Sequence, residues 1–182
     1  YWTDPVWLDF GKAPVEHLYV NQVQPYPRAP HLYVGFAKRF LPRRVVHGHK
    51  YPGVSDVVFM TSRDGVAFRR WGEALIRPGP QPERWMNRNN FVACGVVTTA
   101  SGHLGTPDEL CLYSIEHYYR GEACRMRRYT LRLDGYVSAQ APLAGGHFAR
   151  SAAEGHNGPG DAARDQPRQQ DQDHHQSAEA DQ

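Results

Sequence analysis

Apolar and β-branched residues fall into short runs that proline, glycine and Asp-Gly pairs cut apart. Residues 16–24 (EHLYVNQVQ) and 31–41 (HLYVGFAKRFL) are rich in strand formers and are separated by Pro25, Pro27 and Pro30. Residues 56–62 (DVVFMTS) make a third run and 66–71 (VAFRRW) a fourth, across Asp64-Gly65. Asp-Gly between two such runs is a strong hairpin signal. No stretch of a dozen residues keeps apolar positions at helical spacing without Pro or Gly intervening, so the pattern predicts an all-β chain.

The order then recurs. Residues 91–98, 110–119 and 125–133 repeat the first three runs, Asp134-Gly135 repeats the turn, and 136–139 stands as the outer strand. The two Asp-Gly pairs lie 70 residues apart. Two four-stranded antiparallel units, joined by a Pro/Gly-rich connection over 75–85, predict two blades of a β-propeller. Blade one spans about 14–75 and blade two about 88–142. A single β-sandwich of seven or eight strands is the competing arrangement. Two blades leave broad apolar faces uncovered, so the expectation is a fragment completed by the missing blades of a longer parent chain. A start without Met, at Tyr1-Trp2, agrees with that expectation.

Composition divides the chain in two. Residues 149–182 hold no Val, Ile, Leu, Met, Phe, Trp, Tyr or Cys. A segment with nothing to bury cannot offset its ordering entropy, so a disordered polar tail is expected there, and residues 1–148 are the globular candidate. The tail is either a frame-shift or gene-model artefact or a genuine polar linker. It carries three Arg against seven acids, a net of −4; with +2 on the whole chain, residues 1–148 carry +6. That surplus is too weak and scattered to imply nucleic acid, and basic pairs such as Arg39, Arg43-Arg44, Arg69-Arg70 and Arg127-Arg128 are expected on solvated faces.

No run of 18 apolar residues exists, so no transmembrane helix and no membrane partner is expected. The first residues lack the basic and apolar regions of a signal peptide. Cys94, Cys111 and Cys124 cannot all pair with one another, and each is expected as a buried free thiol. His47-Gly48-His49 spaces two imidazoles as ligands on one strand face are spaced, but no third ligand accompanies them. No metal and no cofactor is expected.

The stretches 56–79, 110–119 and 127–138 together resemble the five-bladed propeller proteins related to glycoside hydrolase families 32 and 43, the superfamily of arabinanases, levansucrases and invertases. Uncharacterised bacterial relatives within that superfamily are the nearest likeness, over roughly residues 1–146. The segment 62–68 (SRDGVAF) resembles the sialidase-type Asp-box hairpin, a structural element. The resemblance implies an oligo- or polysaccharide as partner and an extracellular or periplasmic setting. It implies hydrolysis or non-catalytic glycan binding by the full-length parent, with an inactive fragment; a protein-interaction scaffold is the third possibility.

Propeller glycosidases set two carboxyl groups about the mouth of the central channel. Two positions resemble such a pair. Asp4, in Trp2-Thr3-Asp4-Pro5, matches the Asp-Pro elements of the superfamily, although Asp before Pro is also a common turn starter. Glu116 lies in an aromatic strand, where alternation puts Leu112, Ser114, Glu116 and Tyr118 on one face. Its catalytic reading competes with a solvent-facing ion pair to Arg127 or Arg128. Asp56 is expected as a strand-start cap, Asp64 and Asp134 as turn residues. Asn21, Arg88, Asn89 and Asn90 offer hydrogen-bond partners for sugar hydroxyls, and Trp85 and Tyr118 offer stacking faces, against the commoner packing role of aromatics.

Overall fold

The structure, a computed structural model, describes residues 1–46, 48, 52–118 and 121–137. The chain divides into two units, Tyr1–Ala139 and Gln140–Gln182. The expected tail, 149–182, lies outside the described residues, as do His47, His49, Tyr119 and residues 138–139 of the expected last strand.

The described residues are all-β, as the run pattern predicts. Their strands are β1 (His17–Tyr19), β2 (Gln24–Tyr26), β3 (Ala29–Leu41), β4 (Val54–Ser62), β5 (Phe68–Ile76), β6 (Val92–Thr99), β7 (Glu109–Glu116) and β8 (Arg125–Arg132). A single 3-10 turn, Pro82–Arg84, is the only helical element among them. The first sheet runs β1-β3-β4-β5, with β2 also paired to β3, and the second runs β6-β7-β8; all pairs are antiparallel. These strands close no barrel among the described residues.

Three local expectations are corrected. The run 16–24 is not one strand, because Val20 and Gln22 take left-handed φ of 55° and 47° and break it into β1 and β2. Tyr136 and Val137 form no strand after Asp134-Gly135, and residues 133–136 are a turn. Of the three cysteines only Cys111 is buried; Cys94 and Cys124 are exposed. Cys94 and Gly95 form a bulge in β6, with φ of 61° and 70°, and Cys124 lies in the loop before β8.

Alternation builds the core. Val34 and Phe36 of β3, Val57 and Phe59 of β4 and Ile76 of β5 share one apolar cluster with Val92, Val96, Leu110 and Leu112 of the second sheet. Each such side chain is worth about 1.5–3 kcal/mol when fully buried. Tyr136 stacks on Phe59 at 4.6 Å between ring centroids, and Trp71 also stacks on Phe59, at 5.1 Å. The opposite face of the first sheet buries Ala37, Val58, Met60 and Phe68 under Leu8, Phe10 and Leu18. Backbone bonds from Asp9 N to Val66 O (2.9 Å) and from Phe68 N to Asp9 O (2.7 Å) hold that cover in place.

The expected hairpin joins β4 to β5 through a five-residue loop, 63–67. Asp64 accepts from the Val66 and Ala67 amides at 2.9 and 2.8 Å, and Gly65 N donates to Ser62 Oγ at 2.9 Å. Those amides, Val66 first, together with Ser62, hold the Asp64 carboxyl below its ordinary range. A depressed carboxyl stabilises the loop above its unfolded pKa and loses that contribution as pH falls through its folded value. The Val66 and Ala67 amide resonances are therefore expected to shift together on acidification, at a pH below that of an ordinary Asp; amides that titrate at the ordinary value would show the bonds unmade.

The bulge in β6 also ties the sheets together. It frees the Val96 backbone, whose carbonyl accepts from Gln24 Nε2 at 2.8 Å and whose N–H donates to Gln24 Oε1 at 3.3 Å. A Cβ on Gly95 would stand 1.9 Å from Gln24 Oε1, at a φ that L side chains rarely adopt. Gly95→Ala is expected to cost about 1–3 kcal/mol in denaturant unfolding. A change within about 0.5 kcal/mol would show that the clasp contributes nothing.

Candidate functional site

The connection between the sheets buries three polar side chains, Arg84, Asn89 and Asn90. Arg84, at the end of the 3-10 turn, is buried and donates Nε to Asn90 Oδ1 (3.0 Å) and Nη2 to Arg77 O (3.0 Å) and the Tyr129 hydroxyl. Its Nε also stands 3.1 Å from Glu116 Oε1. Arg127 of β8 approaches the same oxygen at 2.5 Å, and that hydrogen bond is the largest reason its guanidinium titrates above the usual arginine value. Asn90 donates Nδ2 to Ser55 O (2.9 Å) and Arg84 O (3.0 Å), fixing the connection to β4. Asn90 N donates to Ile115 O and Ile115 N to Phe91 O, so the connection extends the ladder along β7.

Glu116 thus faces inward on the side alternation predicts, and it is buried. The expected solvent-facing pair is corrected: Arg127 is a partner, but the second is the buried Arg84, and Arg128 instead binds Glu109 and Cys111. Asp56 is corrected likewise. It is no exposed cap but a buried carboxylate bridged by Arg39 through Nε at 2.9 Å and Nη2 at 2.8 Å. Arg39 and Arg70 both reach Glu16, so neither lies on a solvated face. The Arg39–Asp56 and Arg84–Glu116 pairs are buried, where charge survives only with a partner and hydrogen bonds.

A cleft of about 590 Å³ lies beside this network. Tyr19 of β1, Lys38 and Phe40 of β3, Asn87 and Arg88 of the connection, and Tyr118 after β7 are among its walls. Arg88 takes a left-handed φ of 67° and lies over the Tyr118 ring at 5.5 Å. Asn89 Oδ1 accepts from Tyr118 N at 2.9 Å, which sets the tyrosine at the cleft. The Lys38 ammonium stands 4.9 Å above the Tyr19 ring. Burial, and secondarily the charge of Arg88, push it below the usual lysine value.

Of the residues singled out from sequence, Arg88 and Tyr118 line the cleft, while Asn89, Asn90 and Glu116 belong to the hydrogen-bonded network beside it. The others are elsewhere. Asp4 is exposed on the N-terminal segment and makes no hydrogen bond or ion pair among the described residues. Asn21 lines a separate cavity of about 520 Å³ with Trp7, Phe10 and Arg70. Trp85 donates its indole N–H to Gly79 O at 2.7 Å and shapes the connection. Lys38, Asn87 and Tyr19 were not foreseen. For Lys38 the signal was present: it interrupts the inward-facing stripe Val34, Phe36, Lys38, Phe40. Among the described residues no three His, Cys, Asp or Glu side chains converge as a metal site.

Glu116→Leu removes the anion between two guanidinium groups and leaves Arg84 buried against neutral acceptors. Breaking one side of a buried pair costs about 3–5 kcal/mol, which thermal or denaturant unfolding would register. A loss below about 1 kcal/mol would mark the pair as peripheral. Comparison of the chain with protein-family models, with curated proteins and with solved structures gives no match in any of the three.

Proposed function

We propose that this chain is a non-catalytic carbohydrate-binding segment of a β-propeller, and that the cleft walled by Tyr19, Lys38, Arg88 and Tyr118 takes the sugar. The observation that carries the reading is the makeup of that cleft. Aromatic rings of Tyr19, Phe40, Phe91 and Tyr118 stand among the donors of Asn87, Arg88 and Lys38. Flat apolar faces match the C–H faces of pyranose rings, and fixed donors match hydroxyl oxygens. The two antiparallel meanders are then consecutive blades, a reading supported by the Ser62–Asp64 loop and its likeness to an Asp-box. Propellers close with four or more blades, so further blades from a longer chain belong to this proposal.

Binding is favoured over hydrolysis by the state of the carboxylates. Glu116 Oε1 is engaged by Arg84 and Arg127, and Asp4 lines no part of the cleft. Glycoside hydrolysis asks for two carboxyl groups about 5 to 10 Å apart across the scissile bond. No contact among the described residues joins Asp4 to Glu116. An extracellular or periplasmic setting goes with the same reading.

A panel of plant and bacterial oligosaccharides, screened by calorimetry against the full chain, tests it. Tyr118→Ala is expected to weaken binding about twofold to tenfold, the worth of one aromatic contact. Release of reducing ends is expected in no case. A chain that binds no sugar on the panel would overturn the reading, and turnover lost in Glu116→Gln would restore the hydrolase.

A further inference from the structure

Among the described residues the buried charges are matched with a single exception. Six charged side chains are buried there: Lys38, Arg39, Asp56, Arg70, Arg84 and Glu116. Arg39 has Asp56 and Glu16, Arg70 has Glu16, and Arg84 has Glu116. Lys38 has no carboxylate partner among the described residues. It is 6% exposed, its ammonium stands over the Tyr19 ring, and it lines the cleft. The contrast with Arg39, one position along β3, is direct. Alternation sends Arg39 to the outer face, where β4 presents Asp56 opposite it. Lys38 goes to the inner face, opposite Val57, and meets a second cation, Arg88, across the cleft.

Among the described residues, no aspartate or glutamate lines this cleft. A buried ammonium without a countercharge is costly, and a neighbouring guanidinium adds to that cost. We propose that the cleft recognises an anionic saccharide, one bearing a carboxylate or sulfate group, with the Lys38 ammonium as countercharge and Arg88 beside it. The inference rests on the glycan-binding reading of the same cleft and names the class of sugar. A single inorganic anion would occupy a small part of about 590 Å³, whereas a charged substituent on a larger ring-bearing molecule uses the aromatic walls as well. A neutral sugar would fill the space and leave the Lys38 ammonium without a countercharge from the ligand.

Calorimetric titration of the full chain decides the matter. The ligands are trigalacturonate and a heparin-derived tetrasaccharide, neutral arabino- and fructo-oligosaccharides of similar length, and inorganic sulfate. The anionic sugars are expected to bind about tenfold or more tightly than the neutral ones, in line with a hydrogen bond to a charged group. That preference is expected to fall with added salt, to vanish in Lys38→Met and to persist in Lys38→Arg. Whichever anionic sugar keeps its Lys38-dependent affinity identifies the anion as carboxylate or sulfate. Lys38→Met removes an unmatched buried charge and is expected to melt no lower than the parent, so loss of binding would not reflect loss of fold. Equal binding of neutral and anionic sugars, unchanged in Lys38→Met, would overturn the anionic class and leave the glycan reading standing. Lys38-dependent binding of sulfate with no sugar bound would overturn the glycan reading and, with it, the saccharide proposed here. No binding of any ligand would overturn both.

Discussion

The contact between Arg84 and Glu116 is the constraint around which the rest of this molecule is arranged. A carboxylate near the end of β7 and a guanidinium on the connection meet at 3.1 Å, each nearly excluded from water. Neither could be buried alone, because desolvating one charge costs more than any single neutral hydrogen bond returns. Once paired, Arg84 has donors left over. They fasten Asn90, the Arg77 carbonyl and the Tyr129 hydroxyl, and Asn90 in turn reaches the Ser55 carbonyl of β4. One ion pair thus connects β4, the connection, β7 and β8, and so joins two sheets that share no strand.

The cleft is a consequence of that anchoring. Asn90 and Phe91 pair with Ile115, which holds Arg88 and Asn89 beside the end of β7. Asn89 then orients the backbone of Tyr118. The left-handed conformation at Arg88 and Asn90 follows from the same demands, since the chain must turn sharply twice while keeping both asparagine amides inward.

The strand runs, the absence of helices and the hairpin at Asp64-Gly65 were legible because they depend on local rules: period-two alternation, proline spacing and Asp-Gly turn chemistry. That Glu116 shares a face with Leu112 and Ser114 was legible for the same reason, although its burial was not settled by it. The failures were non-local or conformational. The break at Val20 and Gln22 could not be foreseen, because a β-branched residue at positive φ contradicts local preference and is imposed by β3, which takes β1 and β2 on one edge. The burial of Arg39, Asp56 and Arg70 was missed because each looked like an ordinary surface charge until its cross-strand partner was known. Asp4, Asn21 and Trp85 matched the chemistry of sugar sites by type, but residue type carries no address.

By itself, then, the sequence determined an all-β chain, the places of most strands and which residues of the 110–119 run share a face. It did so because side-chain alternation and turn chemistry act within a few residues. Only the tertiary structure decided which charges are matched. Arg39 and Asp56 are 17 positions apart, Arg84 and Glu116 are 32 apart, and Coulomb attraction depends on distance in space and on the water excluded around it. The same fold left Lys38 without a counterion among the described residues, one position from an arginine that has two.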